Sequence, residues 1–84
     1  MNADGIPEVV SLGYDVASGA VACSDYVSSP VNKWIPYGQS WNVATFLWND
    51  AAGTVKAISG YYSNGPKWRY WDDISETFTS TAFC

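Results

Sequence analysis

Apolar and aromatic residues along this chain come in short runs, broken roughly every 8 to 12 positions by Gly, Pro, Asn, Asp or Ser, the pattern of short strands joined by turns. TFLWND and TVKAISGYY read as two such strands around a turn at Ala51-Ala52-Gly53. Branched and ring side chains dominate, and leucine occurs only as Leu12 and Leu47, so no long helix is predicted. The exception is DVASGAVACSDY, where Asp15 can cap and Val16, Ala20 and Cys23 fall at roughly helical spacing. It reads as one short helical segment, with a hairpin turn at Ser18-Gly19 as the alternative. The next stretch, SSPVNKWIPYGQSW, carries Pro30, Pro36 and Gly38 and reads as an extended, loop-like excursion. The expected fold is mainly β: a small antiparallel sheet of short hairpins with one short helical segment.

The sharpest local signal is GYYSNGPKWRYW. Asn64-Gly65 is a hairpin-forming pair, yet Pro66 follows it and lacks the amide that a two-residue Asn-Gly turn needs to close. A three-residue loop, Ser63-Asn64-Gly65, with a left-handed Gly65 in a G1 bulge avoids that requirement. Its register sets Tyr62 opposite Pro66, Gly60 opposite Trp68 and Ile58 opposite Tyr70. Alternation then sends Ile58, Tyr62, Pro66, Trp68 and Tyr70 toward the core, with the Trp68 indole covering Gly60. Ser59, Tyr61, Lys67, Arg69 and Trp71 face outward.

Tyr61, Arg69 and Trp71 thereby become candidate ligand-binding residues. Flat rings offer apolar area at little entropic cost, and the guanidinium fork directs donors at hydroxyls or carboxylates. The same side chains would serve as core in a domain short of leucine, with the arginine in a cation–π contact. Trp34, Tyr37 and Trp41 in the excursion form a second candidate patch, because large rings on a loop are harder to bury. If the two faces are exchanged, the aromatic site moves to Trp68 and Tyr70.

Size adds a constraint. At 84 residues the chain makes one domain that buries only about 60% of its unfolded surface, so a staple is expected. Cys23 and Cys84 supply one: a bridge between them closes a loop of roughly 60 residues and contributes on the order of 4 kcal/mol. Such a bridge implies an oxidising compartment and pins a final strand against fraying. The alternatives are two reduced thiols, or a Cys84 paired with another chain.

A net charge of −4, with Lys33, Lys56, Lys67 and Arg69 the only basic residues, leaves no footprint for nucleic acid or anionic membranes. No apolar run approaches the ~20 residues of a membrane span. The start MNADGIPEVV lacks the basic and apolar regions of a signal peptide. Residues 1–9 are therefore expected to be a linker, and residues 10–84 a single module cut from a longer exported polypeptide or a virion protein.

Histidine is absent, so neither a Ser-His-Asp or Cys-His nucleophile nor an imidazole metal site can be built, and no catalytic residue, cofactor or enzyme activity is expected. Asp72, Asp73 and Glu76 could gather around calcium, but adjacent carboxylates in a strand point to opposite faces, and a solvated turn is the simpler reading. Gly53, Gly60 and Gly65 sit where turns and bulges need them and build no phosphate loop.

The order LGYD, AC, IPYGQSW, FLWNDAAGT, GYYSNGPKWRYW and a final FC resembles small cysteine-containing C-terminal modules of Bacteroidetes surface proteins and of phage tail or fibre proteins, over most of residues 11–84. The resemblance implies an extracellular, cell-surface or virion location and a role in surface attachment. It carries over no catalytic or ligand residue. The expected function is a non-catalytic binding module for a surface receptor, a glycan ahead of a protein. The competing expectation is a structural module whose rings pack against other subunits, a homotrimer if it belongs to a fibre.

Overall fold

Chain order is β1 (Glu8–Asp15), α1 (Gly19–Ser28), β2 (Val31–Ile35), a 3-10 turn (Trp41–Val43), β3 (Gly60–Ser63), β4 (Lys67–Asp72) and β5 (Thr77–Phe83). The structure, a computed structural model, describes residues 7–84. The five strands form one antiparallel sheet in the order β2-β1-β3-β4-β5. The fold is thus mainly β with one short helix, and Cys23 is bridged to Cys84 with their Cα atoms 5.9 Å apart. β1 begins inside the stretch read as linker, since Glu8 and Val9 already pair with Ile35 and Trp34. The rest of that stretch, residues 1–6, lies outside the described residues.

The helix forms where expected but is capped differently. Ser18 is the N-cap, its Oγ accepting from the Val21 amide at 3.2 Å, whereas the Asp15 carboxylate accepts from Ala17 and Ser18 in the preceding turn. α1 lies directly on β1 because Gly13 has no side chain. A Cβ there would stand 1.9 Å from the Ala22 carbonyl oxygen and 2.3 Å from the Tyr26 nitrogen.

Two other expectations are corrected. Val31–Ile35 is a strand, although Pro30 and Pro36 flank it, because the two prolines fall just outside the ladder and leave every strand amide free to pair. TFLWND and most of TVKAISGYY are not ladder strands. They belong to a long cover, residues 36–59, that joins the sheet pattern by a single bridge from Trp48 to Trp34 and pairs with itself by another from Trp48 to Lys56. The turn at Ala51-Ala52-Gly53 does form, with Asp50 accepting from the amides of Thr54 and Val55.

That cover closes one face of the sheet. Leu12, Tyr62 and Trp71 from the strands and Ile35 from β2 pack against Trp41, Ala44, Leu47 and Ala57, with Val10, Tyr14, Phe46 and Phe78 at the margin. The opposite face receives α1, which buries Gly19 and Ala22. The disulfide ties this helix to the residue just after β5, whose amide donates to the Pro66 carbonyl at 2.9 Å.

Candidate functional site

The β3–β4 hairpin decides which rings face out. Its connection has two residues, Gly65 and Pro66, with the Asn64 amide donating to the Lys67 carbonyl at 3.3 Å. Gly65 takes φ 111°, which a glycine at the first central position supplies. Pro66 then occupies the second central position, where its missing amide costs nothing. The register follows: Gly60 faces Trp71, Tyr61 faces Tyr70, Tyr62 faces Arg69 and Ser63 faces Trp68. Relative to a three-residue loop this is a slip by an odd number, so side chains change faces.

Trp71 is accordingly not an outward ring. It is 0% exposed, its indole N–H donating to the Ala57 carbonyl at 2.9 Å. Gly60 is indeed covered by an aromatic ring, but by Tyr14, whose ring lies 2.4 Å from where a Gly60 Cβ would stand. Trp68 packs instead against Gly19 of the helix.

Arg69 shares the covered face with Tyr62 and Trp71 and emerges half-buried at its margin. Its Nη1 donates to the carbonyls of Trp41 at 2.6 Å and Ala44 at 3.0 Å. The guanidinium carbon lies 3.9 Å from the centre of the Phe78 ring and 5.4 Å from that of Trp41. Two cavities of about 290 and 200 Å³ flank this stack. Val43, Ala44, Thr45 and Thr77 line one and Thr79, Ser80 and Thr81 the other, while Arg69 and Phe78 border both.

Tyr61 lies on the helix-bearing face, in a row with Asp15, Tyr70 and Ser80. Its ring centre is 4.9 Å from that of Tyr70 and 5.0 Å from that of Trp68, and all three rings are partly exposed. So the three residues read as one outward set are divided: Trp71 inside, Arg69 at a groove on the covered face, Tyr61 in an aromatic cluster on the other. Trp68 and Tyr70, assigned to the core from sequence, complete that cluster.

The excursion residues also separate. Trp41, in the 3-10 turn, is 4% exposed and its Nε1 has no hydrogen-bond partner among the described residues. Tyr37 is 52% exposed. Trp34 is half-buried on β2, beside Val9 on the helix side, and exchanges two backbone hydrogen bonds with Trp48. A common patch of Trp34, Tyr37 and Trp41 therefore does not form, because a strand, a turn and a loop aim the three rings differently.

Ionisable groups follow from this packing. Desolvation, before the nearby Asp15, raises the Tyr14 phenol above its ordinary value, and desolvation pushes Tyr62 up further. Burial lowers Lys33 and Arg69, though an arginine stays charged throughout the working range. Asp72 accepts from the Ile74 amide within the β4–β5 turn, while the Asp73 amide donates to Ser59 Oγ and Glu76 pairs with Lys56 at 3.2 Å, both tying the turn to the cover. Among the described residues no group of three or more His, Cys, Asp or Glu gathers where it could hold a metal ion. Nor is any of their helices long and apolar enough to cross a membrane.

No protein-family model matches the chain, and no curated protein or solved structure shows significant similarity to it.

The residues missed from sequence were Phe78 and the Thr79-Ser80-Thr81 stretch of β5, which neighbour Arg69 only through strand pairing. The exchange of Trp68 for Trp71 had a readable signal. Proline tolerates the second central position of a two-residue turn, and counting outward from Gly65-Pro66 brings Tyr61 opposite Tyr70.

Proposed function

We propose that the chain is a non-catalytic binding module of a cell or virion surface, and that a neutral glycan docks on Tyr61, Trp68 and Tyr70. The observation that carries the reading is this cluster of three partly exposed rings, lying on the part of the sheet face beside the helix and flanked by Ser80 and Asp15. Sugar C–H faces stack on such rings, and tyrosine hydroxyls and neighbouring polar groups meet the sugar hydroxyls. The Cys23–Cys84 bridge fits an extracellular setting.

A glycan array followed by titration of tryptophan emission tests this. Tyr70→Ala should weaken binding by about 2 kcal/mol, some thirtyfold, with the melting temperature held within a few degrees. A variant that binds as tightly as the parent, or a parent that answers to no sugar, removes the reading.

One observation favours the alternative, an assembly module. β5 is an edge strand without a charged residue or a proline from Thr77 to Phe83, and Phe83 is 79% exposed. Natural edges are usually guarded by such residues; here only a register irregularity opposite Tyr70 and Trp71 interrupts the pairing. At the other edge, Trp48 bridges to β2. Light scattering decides between the two: a dimer or trimer that Ser80→Lys dissociates supports assembly, and a monomer at high concentration excludes it.

A further inference from the structure

We propose that the groove around Arg69 is a separate binding site for a carboxylate-bearing, hydroxyl-rich molecule, the chemistry of an acidic sugar. It lies on the covered face of the sheet and does not depend on the aromatic cluster.

The starting point is an arginine without a counter-ion. Acidic residues outnumber basic ones eight to four, yet among the described residues no carboxylate pairs with Arg69, the ion pair there being Lys56 with Glu76. The guanidinium is nevertheless half-buried and fixed in place. Two carbonyls hold Nη1, and the Phe78 ring supports its flat face. Fixing the group in advance removes the ordering cost that a flexible side chain would add on binding.

The part of the group left over suits a carboxylate. With Nη1 occupied, Nε and Nη2 have no partner among the described residues and are not shut away from solvent. These two nitrogens form one edge of the guanidinium, whose parallel N–H groups match the two oxygens of a carboxylate. The rest of the lining mixes apolar and hydroxyl-bearing residues: Val43, Ala44, Thr45 and Thr77 in the larger cavity, Thr79 and Thr81 in the smaller, where Ser80 contributes from a side chain directed to the other face. Among the described residues no acid lines either cavity, so none of them repels an incoming anion at the contact. Together the cavities have room for a single monosaccharide unit beside the arginine.

Titration of isotopically labelled protein with sodium glucuronate tests the site, with glucose, sulfate and inorganic phosphate added separately at matched ionic strength. Glucuronate should produce saturable amide and side-chain shifts confined to Val43 through Thr45, Arg69 and Thr77 through Thr81, with a dissociation constant on the order of millimolar, and glucose should leave them unmoved. Val43→Glu supplies the variant. Val43 is 64% exposed on the lip of the larger cavity, so a carboxylate there can reach Arg69 without disturbing the core. It should weaken glucuronate at least tenfold and leave the melting temperature unchanged or raised. Undiminished binding to Val43→Glu, or the absence of saturation by any anion, overturns the site. Sulfate or phosphate saturating the same resonances as tightly overturns the carboxylate assignment. An equal response to glucose overturns the need for charge.

Discussion

On one face of the sheet Leu12, Tyr62 and Trp71 disappear beneath residues 36–59, which form no ladder strand; on the other, Gly13, Ser63 and Trp68 meet a ten-residue helix. The helix satisfies its own backbone and asks of the sheet only a flat place to lie, which Gly13 provides. The irregular cover bonds internally only in scattered turns and short pairings, such as Val43 to Ser40, Asn49 to Val55 and Ala57 to Leu47. Five of its carbonyls are met by the polar tips of large side chains rising from the sheet. Trp71 donates to Ala57, Tyr62 to Ile58 at 2.8 Å, Tyr14 to Ser59 at 3.1 Å, and Arg69 to Trp41 and Ala44. A ring that fills volume and ends in a donor is what an irregular cover needs, and leucine cannot replace it. The abundance of aromatic residues in so leucine-poor a chain thus has a structural cause on one face, and only the other face leaves rings over for a ligand.

The largest test of this contrast is Trp71→Ala. It opens a cavity in the core and strands the Ala57 carbonyl, so it should cost about 5 kcal/mol, the upper end for a buried tryptophan, and unfold the domain. Thermal melts should show no cooperative transition. If this variant melts like the parent, the cover is not what holds the sheet together.

Reduction and alkylation of the disulfide comes next, at about 4 kcal/mol in the chain-entropy model for a sequence separation of 61. It acts on the helix side, where α1 and the end of β5 lose their tie. A reduced form with an unchanged midpoint would show that packing alone secures that face.

The comparison sharpens with paired hydroxyl deletions. Tyr62→Phe should cost about 2 kcal/mol, because the Ile58 carbonyl loses its donor within buried surroundings. Tyr70→Phe, on the other face, should stay within about 0.5 kcal/mol. Equal losses in denaturant titrations would mean that the donors of the covered face have no special role.

Alkali should strike the same face. Tyr14 and Tyr62 carry folded-state values above the ordinary 10.0, with desolvation the main cause, so their protonated forms are favoured by folding. Their contribution is complete below pH 10 and is lost as pH rises beyond it, by at most about 1.4 kcal/mol per pH unit for each. Tyrosinate absorbance should therefore rise together with loss of folded signal above pH 10. Smooth titration of every tyrosine in a still-folded protein would contradict the burial of these two.

The smallest expected effect is Gly65→Ala, at about 1 kcal/mol. Its φ of 111° is strained for alanine, and the new Cβ would sit 3.2 Å from the Tyr26 ring. Chemical denaturation measures it, and a neutral outcome would place the turn elsewhere.

Antiparallel strands, the short helix and the bridge were legible in the sequence because each has a local signature: turn residues at strand spacing, a small-residue stretch with a cap, and two cysteines. The faces were not. They hang on whether the β3–β4 connection has two residues or three, and that choice exchanged Trp68 with Trp71. TFLWND was misread for a different reason. Its β-rich composition suits a ladder, but it pairs only at isolated points, Trp48 with Trp34 on β2 and Leu47 and Asn49 with Ala57 and Val55 across the turn, so the pairing never extends into a strand. Tyr61 stays partly exposed on the helix-bearing face, beside Tyr70, whereas Arg69 reached its groove beside Phe78, on a strand paired to it only in the folded chain.

The bridge from α1 to the residue after β5 also has a mechanical meaning. Pulled at both termini, the oxidised protein would pass the load through sulfur from the middle of the helix to its last residue, and the chain between Cys23 and Cys84 would carry none of it. At roughly 3.4 Å per extended residue, about 200 Å of contour stays out of reach of the force until the bond is cut. β2, β3, β4 and β5 lie within that shielded length, whereas β1, paired between β2 and β3, lies outside it, so the load falls on β1 and the first half of α1 while the other four strands stay linked behind the bond.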